Sequence, residues 1–167
     1  MRLFEFEAKD AFRKVGLPLP KSRLAQTPDE AEKAATDLAS PVVVKVQILA
    51  GGRGKAGGIK PAGSPKEARK VAEQLLGATI QGCVVRQVLV EERLSIAQEI
   101  YLGITVDRAR RQPVAICSAL GGVDIEQVAE QHPEKIARIL LDPVLGLREF
   151  EARRLAKEAG FEGQAFL

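Results

Sequence analysis

The chain has 167 residues, 46% hydrophobic and 28% charged, enough apolar content and length for one folded core or two small lobes and not the makeup of a disordered segment. Its net charge of +3 is spread among carboxylates with no basic arm, and six Phe, one Tyr and no Trp offer no stacking platform, so a nucleic-acid partner is not expected. Acidic residues interrupt the N-terminal segment where a signal peptide would be apolar, and no run approaches membrane-spanning length, so neither a membrane nor a leader is expected and the reading is cytoplasmic. Cys83 and Cys117 lie in apolar runs without CxxC spacing and with one histidine in the chain, which predicts reduced core thiols and no metal ligands.

In chain order, Leu3, Phe4, Phe6, Ala8, Ala11, Phe12 and Val15 keep helical spacing up to Gly16, predicting an amphipathic first helix. Thr27-Pro28-Asp29-Glu30 joins an N-cap, a proline at the first helical position and a capping-box glutamate, and opens a helix through Leu38. Residues 42–46 form an apolar strand that runs into a glycine-rich loop. Ser64-Pro65-Lys66-Glu67 repeats the start signal for a third helix ending near Gly77. Residues 83–91 read as one strand. Ile100, Leu102, Ile104 and Val106 alternate with polar positions, which predicts a half-buried strand over 99–107. The charged turn Arg108-Ala109-Arg110-Arg111 leads to a hairpin partner at 113–118, and further helices are expected over 133–141 and 148–159. That turn and the pI near 9.0 are the features favouring nucleic acid, and a solvated hairpin tip explains the turn better.

The loop after the strand reads Ala50-Gly51-Gly52-Arg53-Gly54-Lys55-Ala56-Gly57-Gly58-Ile59-Lys60. Glycines let backbone N–H groups approach an anion with no Cβ in the way, and Lys45, Arg53, Lys55 and Lys60 supply positive charge, so the segment reads as a phosphate clamp. It is not a P-loop, because Ala56 follows Lys55 where a hydroxyl would be needed. Gly52-x-Gly54-x-x-Gly57 fits the dinucleotide fingerprint by letter, but Gly58-Ile59-Lys60-Pro61 continues as a strand or turn where a helix is required. Strand, glycine loop and strand make a flap suited to nucleotide phosphates, against the plainer alternative of a mobile surface hairpin. Lys45 interrupts an apolar run, where an unpaired ammonium is costly and a phosphate would satisfy it.

These residues resemble the β subunit of the ADP/GDP-forming succinyl-CoA synthetases, in the ATP-grasp superfamily. The likeness runs from Leu3 to Lys9, through Val43-Val44-Lys45-x-Gln47 and the glycine loop, to Leu89-Val90-Glu91 and Glu99-Ile100-Tyr101-Leu102-Gly103-Ile104-Thr105-Val106-Asp107-Arg108. Gly121-Gly122-Val123-Asp124-Ile125-Glu126 and Leu141-Asp142-Pro143 extend it to nearly the whole length. The chain departs from the family pattern at Leu120, where an acid is usual, and at Phe4 and Phe6, where His and Tyr are usual.

The resemblance implies an α+β ATP-grasp fold of two lobes, with mixed or antiparallel sheets flanked by helices and incomplete at the C-terminus. Residues 21–94 would form the nucleotide-binding lobe, and residues 1–20 plus 95–167 part of the second. ATP would be held by Lys45, Gly52, Arg53 and Gly54 at the phosphates, by Glu91 and Leu94 at the adenine-facing hinge and by Glu99 at the ribose. Pro20 favours ATP over GTP. Glu91 as a solvated strand end and Glu99 as an ordinary exposed strand residue are the plainer alternatives. No residue of this chain is assigned a catalytic or metal-binding role. Mg2+ ligands are expected beyond residue 167, and the histidine that is phosphorylated belongs to the α subunit, which leaves His132 a bystander.

The implied activity is formation of succinyl-CoA from succinate, CoA and ATP, with ADP and phosphate released, by the complete α/β enzyme. Partners would be the α subunit, the nucleotide and, through the whole enzyme, CoA and the dicarboxylic acid. Alternatives are a related malate- or citrate-CoA ligase and a non-catalytic docking module. The end of the chain, 160–167, looks like a helix exit cut before the next element, as in an excised piece, a split gene product or a proteolytic piece, and such a piece alone is expected to be inactive.

Overall fold

A computed structural model describes residues 2–39, 41–122 and 124–161. Two compact units divide at Ser95/Ile96. The first holds α1 (Glu5–Lys14), β1 (Ser22–Ala25), α2 (Pro28–Leu38), β2 (Val42–Val46), β3 (Ile59–Ala62), α3 (Pro65–Leu75), β4 (Thr79–Ile80), β5 (Cys83–Val84) and β6 (Val88–Glu92). The second holds β7 (Tyr101–Asp107), β8 (Gln112–Ser118), α4 (Ile125–Gln131), a 3-10 turn (Pro133–Lys135), β9 (Ala137–Leu140) and α5 (Glu149–Glu158). The contacts of this chain group residues 1–20 with the first unit, where the sequence reading put them with the second lobe.

In the first unit the sheet order is β1-β6-β2-β3, antiparallel throughout. Both helix starts read from sequence form as expected: Thr27 Oγ1 accepts from Glu30 N–H at 3.2 Å and Ser64 Oγ from Glu67 N–H at 3.3 Å. Glu30 and Glu67 bond back one residue earlier than a capping box requires, to Gln26 N–H and Gly63 N–H, each at 2.7 Å. The helices bury Ala31, Ala34, Ala35, Ala68 and Ala72, and these small side chains let α2 and α3 lie close together over Val42, Val44, Val46, Val88 and Val90. Each fully buried valine contributes about 1.5–3 kcal/mol.

The single strand expected over 83–91 is two: Val85 is buried, but residues 85–87 carry no ladder, and Cys83–Val84 turns back on Thr79–Ile80. Gln81 at φ 51° and Gly82 at φ 74° make that two-residue turn, a left-handed pair that sets the hairpin.

The second unit has sheet order β7-β8-β9, also antiparallel, with α5 on one face. The helix expected over 133–141 is instead one 3-10 turn opened by Pro133 and then β9, where Ala137 and Ile139 are buried and Arg138 and Leu140 exposed. Period 2 wins there because β8 offers an edge to pair with. The 108–111 turn is the β7–β8 hairpin tip, as expected. The glycine pair at 121–122 belongs to a motif whose Val123, like the tail 162–167, lies outside the described residues.

Candidate functional site

The β2–β3 hairpin carries the glycine loop, residues 47–58, with Lys45 opposite Ile59 at its base. Val46 N–H bonds Gly58 O and Gly58 N–H bonds Arg53 O, each at 2.8 Å, and Ala56 N–H reaches Gly52 O at 3.1 Å, so the loop is pinned by its own backbone. Gly52 at φ 67° needs glycine's freedom. Gly58 needs it for space, since a Cβ there would stand 2.6 Å from Val46 Cγ2.

A charged network closes over the base of this loop. Glu91, 4% exposed, takes Lys45 Nζ at 2.6 Å on Oε1 and Lys9 Nζ on Oε2. Glu5 Oε1 takes Lys45 Nζ at 3.1 Å and lies 3.5 Å from Lys9 Nζ, while Glu5 Oε2 is 2.9 Å from Arg53 Nη1. That last contact is an ion pair without hydrogen-bond alignment, and Arg53 Nη1 donates to Val46 O at 3.0 Å. Three cations face two carboxylates, leaving the cluster one charge positive. Burial would push the Glu5 carboxyl up, but Lys45 and then Arg53 outweigh it and hold it below the usual carboxylate range. Burial would lower the Lys45 ammonium, yet its bond to Glu91 and the charge of Glu5 raise it, so it stays charged.

Lys45 is therefore not the unpaired ammonium of the sequence argument; two acids satisfy it. Sequence reasoning missed Glu5 and Lys9 because they sit 40 and 82 residues from the partners they meet. The first helix has no fully buried residue and makes polar contacts to the unit, including Phe6 N–H on Gln47 Oε1 at 3.2 Å.

The structure brings Lys45, Arg53 and Glu91 together, with Gly52 and Gly54 beside Arg53 in the loop. Glu91 is buried and ion-paired, which removes its reading as a solvated strand end. Leu94 is exposed in the first unit. Glu99 is exposed in the second unit, against the Gly121–Gly122 turn: its carbonyl accepts Gly121 N–H at 3.0 Å, and a Cβ on Gly122 would collide with its carboxylate. Lys60 donates to Gln74 on α3 at 2.9 Å, away from the cluster. His132 is exposed, with Glu134 at 3.5 Å from Nδ1. Cys83 and Cys117 are free thiols, Cys117 buried. A cavity of about 550 Å³ opens elsewhere on the first unit between Phe4, Gln26, Gln47, Leu49 and Arg86; none of the five charged residues of the network lines it.

An ATP-grasp domain model matches residues 2–166. The chain belongs to the ATP-grasp family. It is 51% identical over 166 residues to the ADP-forming succinate–CoA ligase subunit beta 1 of Archaeoglobus fulgidus, covering 99% of this chain and 44% of that protein. To the ADP-forming β subunit of Haloarcula marismortui it is 48% identical, covering 97% and 42%, and to the GDP-forming one of Thermus thermophilus 46%, covering 98% and 43%. The chain thus spans less than half the length of the curated relatives it matches. Among solved structures, a dinucleotide-forming acetyl-coenzyme A synthetase 1 of Ca. Korarchaeum cryptofilum superposes with a TM-score of 0.71 at 25% identity, covering 95% of this chain and 66% of that one. The α+β ATP-grasp fold and the resemblance to succinyl-CoA synthetase β subunits, both read from sequence, are borne out. No helix among the described residues is long and apolar enough to cross a membrane.

Proposed function

We propose that this chain is the ATP-binding part of a succinate–CoA ligase β subunit, working with an α subunit that carries the phosphorylated histidine. The observation that carries the reading is the convergence of Lys45 and Arg53 at the base of a glycine loop, in a cluster one charge positive. Phosphate oxygens are strong acceptors, and a lysine with a forked arginine beside Cβ-free backbone is a donor set that fits them. Residues 21–94 would be the nucleotide-binding lobe, and residues 95–167 would contribute to the second ATP-grasp lobe, to which the sequence also assigns residues 1–20, although their contacts in this chain are with the first unit. Lys45, Gly52, Arg53 and Gly54 would hold the phosphates, Glu91 and Leu94 the adenine side, and Glu99 the ribose.

Bound nucleotide supplies the phosphoryl group; this chain's residues bind and orient it. Mg2+, expected with the nucleotide, would take its ligands from residues beyond 167; among the described residues no group of three or more His, Cys, Asp or Glu gathers that could hold it. CoA and the dicarboxylic acid would be bound by the complete enzyme in the cytoplasm. The identities of 46–51% to succinate–CoA ligases favour succinate over malate or citrate.

Titration calorimetry with ATP, with and without Mg2+, on this chain and on Lys45→Ala tests the reading. Binding that falls at least tenfold on the substitution supports it. ATP binding indifferent to Lys45, or none by the folded chain, contradicts a nucleotide site at this loop and favours a docking module.

A further inference from the structure

Neither the glycine loop nor β2 explains why a carboxylate from α1 reaches into their shared base. Lys45 already has a partner in Glu91 at 2.6 Å, a carboxylate it shares with Lys9, and Glu5 brings a second carboxylate to the three cations. No residue of α1 is fully buried, and Phe6 is half-buried. What Glu5 does uniquely is bridge: Oε1 sits 3.1 Å from Lys45 on the strand and Oε2 2.9 Å from Arg53 in the loop. Lys9, one turn along the same helix, pairs with Glu91 and fixes the register in which Glu5 is presented.

Partly buried ion pairs contribute little net stability once desolvation is counted, so a device of this kind is better explained by the geometry it enforces. Long cationic side chains carry rotamer entropy that a ligand must otherwise overcome. One carboxylate spanning both cations removes part of that cost before an anion arrives.

We infer that Glu5 is a positioning residue: its two oxygens set Lys45 and Arg53 at the spacing a nucleotide phosphate requires, and α1 is the arm that delivers it. The inference rests on the nucleotide reading above and adds a role for the first helix. Glu5 itself touches no phosphate; it acts through Lys45 and Arg53. Lys9 serves it through Glu91.

ATP titration of the whole 167-residue chain as wild type, Glu5→Gln, Lys45→Ala and the double variant tests this, with folding checked by circular dichroism. Glu5→Gln is expected to weaken ATP binding about tenfold, with little further loss when added to Lys45→Ala, the non-additivity expected of residues acting as one unit. Glu5→Asp, which keeps the charge, should restore part of the affinity. The Arg53 side-chain Nε–H signal in nitrogen-edited NMR should broaden in Glu5→Gln and stay sharp in wild type without any ATP, a readout that a general loss of stability in a still-folded variant would not move. Wild-type binding that Lys45→Ala weakens but Glu5→Gln leaves unchanged or tightens overturns this inference alone. An Arg53 signal indifferent to Glu5→Gln also overturns it. ATP binding absent from folded wild type, or unaffected by Lys45→Ala, overturns the nucleotide reading and this one together.

Discussion

In the first unit, two alanine-faced helices cover the valines of β2 and β6, and the charges of Lys45 and Glu91, which alternate with those valines, are paired on the sheet's other face. In the second unit, α5 covers Ala115, Cys117, Ala137 and Ile139 on β8 and β9, while Leu102, Ile104 and Val106, on the same face by register, stay more than 60% exposed on β7. A groove of about 220 Å³ between Leu102, Leu147, Ala156 and Phe161 marks where α5 stops covering the sheet. The same alternation of apolar residues thus yields a closed core in one unit and an open apolar strip in the other. Periodicity fixes which residues share a face; only a covering element decides whether that face is dry.

Substitutions at matched positions sharpen that contrast. Val44→Ala, in the closed core with no exposure, is expected to lower unfolding free energy by about 2–3 kcal/mol in urea titration. Gly58→Ala comes next, at about 1–2 kcal/mol, because its Cβ would meet Val46 Cγ2 at 2.6 Å and Arg53 O at 3.1 Å. Ile104→Ala on the open strip should change stability by no more than about 0.5 kcal/mol. A cost for Ile104→Ala equal to that of Val44→Ala would mean the strip is covered in solution, and the contrast would collapse.

Acid should erode both units through different carboxylates. Glu151, at the start of α5, is held down to about 2 by its hydrogen bonds from the Arg148 side chain and then the Arg148 backbone N–H. Glu5 is held below the usual range against its own burial, by Lys45 and then Arg53. Both are lowered in the folded state, so their stabilisation is present above the unfolded value of 4.5 and is lost as pH falls through the folded one, near 2 for Glu151. Thermal melts between pH 6 and pH 2 should show this smaller slope, reduced separately in Glu5→Gln and Glu151→Gln. A pH dependence unchanged by both substitutions would remove these carboxylates from the account.

Much of the first unit was legible because its signals are local. Thr27-Pro28 and Ser64-Pro65 fix two helix starts within four residues, and the glycine loop is contiguous. Residues 83–91 misled because an apolar, β-branched run gives no sign of the backbone turn at Gln81–Gly82 that folds its first part back on β4. Residues 137–140 misled because Pro133 announces a helix that ends after one turn, and the alternation that follows is only four residues long. At the site, Lys45 and Arg53 stood out as cations in an apolar or glycine context, whereas Glu5 and Lys9 looked like the solvent face of an amphipathic helix. Lys9 meets Glu91 across 82 residues of sequence and Glu5 meets Lys45 across 40, which no spacing rule encodes.

The central claim, that the glycine loop and Lys45 form the nucleotide site, is tested most directly by following backbone amide shifts during an ATP titration. The account predicts perturbations concentrated at Lys45 and at Gly52, Arg53 and Gly54, absent in Lys45→Ala. Shifts that instead gather at the Arg108–Arg111 hairpin tip, or that leave the glycine loop unmoved while ATP binds, would contradict it.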